Sequence, residues 1–233
     1  MNAVLVFLAV IAIIIGWWLA QQRLASKPWL EVGHALDRRN AGEPIPAAKI
    51  GLGVFLAVVG SLFTLFISAY FMRAESSDWG ALPLPRMLWI NTGVLVLSSI
   101  ALQWAKTETE RQRQEAARTS LLVAFATGLA FLVGQVFAWR QLSAAGYLLA
   151  DNPANSFFYM ITGMHGLHIV GGLIALGRVT LRAWDVPIDR GSSLSIGLCA
   201  TYWHFMLAVW LVLFALFSGW AGDVVDFCRQ LLT

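Results

Sequence analysis

The sequence predicts an all-α polytopic membrane protein: a helical bundle of six transmembrane helices with both termini outside, on the periplasmic side in a bacterium. Three observations lead there. Of 233 residues, 58% are hydrophobic and only 12% charged, about half the charge of an ordinary soluble domain. Six stretches reach the roughly 20 apolar residues that a hydrocarbon core requires. Lys and Arg are divided unequally between the linkers, which sets an orientation.

The first stretch, 2–20, lies before its positive charges and is long for the core of a signal peptide, so it is expected to be a retained span. In the linker that follows, "WLEVGHAL" reads as a short surface helix ended by the Gly and Pro beyond it; His34 there receives no role. Further spans are expected at 50–72, 86–105, 119–139, 155–178 and 193–220. In lipid every backbone group must be satisfied within its own segment, and these lengths suit helices rather than barrel strands. The charged linker "KTETERQRQEAARTS" (106–120) reads as a solvated extension of the third or fourth helix. Trp79, Trp139, Trp184 and Trp220 fall near the expected interfaces, as does the pair Trp17 and Trp18. The chain thus divides into an extra N-terminal helix with a cytoplasmic linker (1–49), a five-helix bundle (50–222) and a short periplasmic tail (223–233).

Twelve Lys and Arg fall on one side: Arg23, Lys27, Arg38, Arg39 and Lys49, then Lys106, Arg111, Arg113 and Arg118, then Arg178, Arg182 and Arg190. The other side carries four, Arg73, Arg86, Arg140 and Arg229. The richer side is cytoplasmic by the positive-inside rule. The net charge of +3 comes without a long basic block, so no nucleic-acid partner is expected. The two cysteines, Cys199 and Cys228, show no metal-ligand spacing.

Polar residues inside the spans carry what chemistry there is. In "FFYMITGMHGLHIVGG", His165 and His168 stand at i and i+3 on one helix face, near mid-depth. His204, in "TYWHFMLAVW", comes out at a similar level. Intramembrane ionisable groups are costly and invite a functional reading. Haem or metal ligation is one reading, but no carboxylate or thiolate completes a ligand set. A proton relay is a second, but no span contains an Asp or Glu. The third, preferred here, is that neutral imidazoles lock the fifth helix to the sixth or to another neighbour by hydrogen bonds. Trp203, Asn91 and Gln135 join this interhelical set, and Ser61, Thr64, Ser68, Thr92, Ser98 and Ser99 read as similar polar glue. No nucleophile–base–orienter set, P-loop, GxSxG or HExxH is present; no catalytic, cofactor or metal residue is assigned to this chain. Arg73, with Arg86 and Arg140 on the same side, is expected to contact phospholipid headgroups; snorkelling of flanking arginines is the plainer alternative.

Five stretches, in order, resemble subunit III of the haem-copper oxidases (cytochrome c oxidase subunit 3). "FFYMITGMHGLHIVGGLIAL" is similar to that family's TG-x-HG-x-H helix, and "TYWHFMLAVWLVLFALFSGW" to its final YWHF-x-x-x-VW helix. "LPLPRMLWINTGVLVLSSIALQWA" resembles its N-T-x-x-L-x-x-SS helix, preceded by "IGLGVFLAVVGSLFTLFISAYFMR". "AWRQLSAAGYLLADNPANSFFY" resembles the approach to the histidine helix. The resemblance covers residues 50–220. It implies a non-catalytic, multi-pass subunit of an aerobic respiratory terminal oxidase in the bacterial inner membrane. The complex would reduce oxygen to water and pump protons. The subunit would stabilise the catalytic subunit I, accompany subunit II, bind phospholipid, and stand within a larger respiratory supercomplex. Haem and copper would lie in the partner subunits.

Two departures from the family pattern concern carboxylates. Val59 stands where the family carries a Glu in F-L-A-S-E, and Leu207 where it carries an Asp in WHFVDVVW. The alternative reading is therefore an accessory subunit III-like protein of a quinol oxidase or a nitric oxide reductase. A six-helix lipid-handling or transport protein is disfavoured, because no span is broken by Pro or centred on a charge.

Overall fold

A computed structural model describes residues 46–219, apart from 75, 81 and 186–189. The expected first span, the "WLEVGHAL" helix with His34, and the tail with Cys228 lie outside the described residues. Five helices follow in order: α1 (Ala47–Ala74), α2 (Met87–Glu110), α3 (Gln114–Ala144), α4 (Pro153–Asp185) and α5 (Arg190–Phe217). Each is long and apolar enough to cross a membrane. At 1.5 Å per residue they run about 36 to 50 Å, longer than a hydrocarbon core of about 30 Å. No strand occurs among the described residues.

The charged linker extends both of its helices. α2 continues to Glu110 and α3 already begins at Gln114. Between them the chain turns on Gln112, a non-glycine residue with φ of 61°. Arg113 N–H donates to Glu108 O at 2.9 Å and Gln112 N–H to Thr109 O at 3.1 Å, the paired bonds that close a helix end through a left-handed residue. The Glu108 carboxylate is buried beneath the turn and meets Arg111 at 3.1 Å and Arg113 at 3.6 Å. The end of α3 repeats the device with Gly146, φ 91°, where Tyr147 N–H reaches Leu142 O at 3.1 Å.

The described residues up to Thr64 and those from Leu65 onward belong to two units, described separately. In the first, the Ser61 and Thr64 hydroxyls donate back to Ala57 O and Gly60 O at 2.9 and 2.8 Å. Both were expected to bond between helices; each instead satisfies itself within its own turn, as hydroxyls in helices readily do.

In the second unit, α2 packs on α3 and α5, and α4 packs on α3 and α5, closing a ring of four helices. Its core holds Leu95, Leu102, Leu121, Phe131, Phe158, Ile169, Met206 and Trp210, all essentially inaccessible. Lipid is as apolar as these side chains, so fit rather than water exclusion must hold the helices together. The fit is clearest around Trp203. A Cβ at Gly128 of α3 would lie 2.8 Å from its Cζ2, and a Cβ at Gly172 of α4 would lie 2.9 Å from its Cζ3. Two glycines on facing helices therefore form the slot that admits the indole.

Both ends of α4 are tied down. Asn152 caps its start, Oδ1 accepting from Ala154 N–H at 2.9 Å, with Pro153 in the first helical position. The same carboxamide exchanges two bonds with Gly80, at 3.1 and 3.3 Å, so one side chain joins the loop after α1 to the loop after α3. At the other end Arg118 donates to Ala183 O at 2.8 Å and lies 5.8 Å over the Trp184 ring. A cation there suits the negative end of the helix dipole.

Candidate functional site

The polar residues of the spans form a band of side-chain bonds across the four-helix ring. Asn91 of α2 and Gln135 of α3 are both buried. The Asn91 Nδ2 donates to Phe131 O at 3.1 Å and to Gln135 Oε1 at 3.2 Å. Gly134 makes room, since a Cβ there would overlap the Asn91 carboxamide. Trp203 Nε1 donates to Ser98 Oγ at 2.9 Å, and the Ser98 hydroxyl donates onward to Ala124 O at 2.8 Å. Trp210 Nε1 donates to Thr92 Oγ1 at 2.9 Å, and Thr92 donates to Leu88 O. Trp139, expected at an interface, donates from Nε1 to Thr162 Oγ1 of α4 at 3.1 Å.

The three histidines expected at mid-depth take three different places. His165 is fully buried. Its Nε2 lies 3.1 Å from Met206 O; a carbonyl only accepts, so Nε2–H donates and ties α4 to α5. Its ring packs against Phe131 and Trp210, at centroid distances of 5.7 and 5.0 Å. His168, one turn on, is half-buried. Its Nδ1 donates to Met164 O of its own helix at 2.8 Å, while its backbone oxygen accepts from the Tyr202 hydroxyl of α5 at 2.7 Å.

His204 is exposed on the flank of α5 and bonds to α2. Its Nε2 lies 3.1 Å from Gln103 Oε1 and its Nδ1 meets the Ser99 hydroxyl. Since Oε1 can only accept, the Nε2–H donates and Nδ1 accepts from Ser99 O–H, which is the pattern of a neutral ring. All three histidines were expected to lock the fifth and sixth spans; their rings instead take three different partners, that of His168 lying on its own helix. His165 joins those two; His204 joins the third span to the sixth. Gln103, Thr162 and Tyr202 were not singled out from sequence. The spacing of Ser99 and Gln103, i and i+4 on one face of α2, is the signal that would have found the first.

Among the described residues, no three His, Cys, Asp or Glu gather as a metal site would need.

At the opposite end of the bundle from the charged linker, Arg73 makes a two-pronged pair with Asp78, one prong at 2.7 Å. That bond holds the Asp78 carboxyl below the usual carboxylate range. Arg86, immediately before α2, and Arg140, on α3, are both exposed. Of the three, Arg73 is already engaged by a carboxylate.

Residues 47–222 match the family model of cytochrome c oxidase subunit III. Among curated proteins, the chain is 30% identical over 186 residues to the probable cytochrome c oxidase subunit 3 of Mycobacterium tuberculosis (strain ATCC 25618 / H37Rv), covering 78% of this chain and 89% of the relative. It is 29% identical over 189 residues to the cytochrome c oxidase subunit 3 of Thermostichus vulcanus, covering 79% and 92%. With that of Rhipicephalus sanguineus it shares 28% over 234 residues, covering 94% and 86%.

Proposed function

The chain belongs to the cytochrome c oxidase subunit III family and is an integral membrane component of a multi-subunit oxidase, and from that premise we propose that it is the non-catalytic subunit III of an aerobic terminal oxidase. It stabilises a catalytic subunit I that carries haem and copper, beside a subunit II, in a bacterial inner membrane. The carrying observation is that the family match runs through all five described helices. The polar band supports the same reading, because most of its side-chain bonds join one helix to another. The excess of Lys and Arg in the linkers supports both termini on the periplasmic side, with 2–20 as a sixth span. Arg86 and Arg140 are the arginines offered to phospholipid headgroups; Arg73 enters that role only by giving up Asp78.

A second reading follows from Val59 and Leu207, which stand where carboxylates are expected in this family. It makes the chain an accessory subunit of a quinol oxidase or a nitric oxide reductase. One experiment separates the two. The chain is tagged at its C-terminus, the complex is extracted in mild detergent, and its reduced-minus-oxidised spectrum is recorded with the co-purifying chains identified by mass. An a-type haem with copper and cytochrome c oxidation supports the first reading. Quinol oxidation, or a b- and c-type spectrum without copper but with nitric oxide reduction, supports the second. Absence of any haem-bearing partner overturns both.

A further inference from the structure

We draw no further inference here: the strongest candidate, the exposed arginine pair Arg178 and Arg182 one turn apart near the end of α4, is what the snorkelling of span-flanking arginines produces by itself, and nothing in the structure shows what covers it.

Discussion

Trp203 and Ser98 stand 105 residues apart in sequence and 2.9 Å apart in space, and together they fasten three helices. The indole N–H of α5 donates to the hydroxyl of α2, and that hydroxyl donates to a carbonyl of α3. The bridge works because the indole reaches it through the slot left by Gly128 and Gly172. Packing and polar bonding are therefore one arrangement: without the slot the bond has no donor.

Removing the bridging hydroxyl strands a buried indole N–H. Ser98→Ala is expected to cost about 1 to 2 kcal/mol, the range for a buried donor losing its acceptor. The check is thermal unfolding of the purified complex followed by loss of this subunit. A midpoint equal to that of the unaltered complex would show that the hydroxyl contributes nothing.

Two neighbouring glycines of α4 make a matched pair. Gly172→Ala forces a methyl against Tyr202 and Trp203, whereas a Cβ at Gly171 meets nothing within 4 Å. The first is expected to destabilise by about 1 to 3 kcal/mol through overpacking. The second is expected to be neutral or slightly stabilising, since Ala is the better helix former. Equal melting of the two variants would remove the slot from the account.

His204→Leu breaks the only side-chain bonds that join α2 to α5 at Ser99 and Gln103 among the described residues. It is expected to release the subunit from the complex more readily, by about threefold in retention, and to leave the haem spectrum of the remaining complex unchanged. Loss of a haem band from an assembled complex would instead identify the ring as a ligand. His165→Leu, which removes the bond from α4 to Met206 O of α5, is expected to affect assembly in the same direction.

The loop after α1 carries a pH dependence of known sign. Asp78 is held below its ordinary value by the Arg73 bond, so its contribution is fully present above the unfolded aspartate value near ~3.9 and is lost as pH falls through the lower folded value. Amide protection across the loop that follows α1, taken relative to the intrinsic exchange rate at each pH, should therefore be flat from neutral pH down to about 4 and fall below it. Asp78→Asn should raise exchange at neutral pH and abolish the acid step. High salt should act in the same direction, because the pair is exposed.

Hydropathy made the five described spans legible, since the need to fill about 30 Å of hydrocarbon leaves little freedom in where a helix crosses. Their ends were less legible. α2 and α3 continue through charged residues because a helix outside the hydrocarbon needs no apolar signal; Gln112 ends the run by its backbone conformation, not by a Gly or Pro that composition would reveal.

What the residues alone determined is thus that the chain is a membrane helical bundle and which helices are apolar enough to cross. Which groups meet was decided by the tertiary structure. A helix apolar on every side has no stripe to say which face turns inward, so spacing set an expected depth for His204 but not its place on the outer flank beside Gln103. That choice was made by close packing: Trp203 must enter the gap at Gly128 and Gly172, and once α5 is rotated to put it there, the next residue faces out.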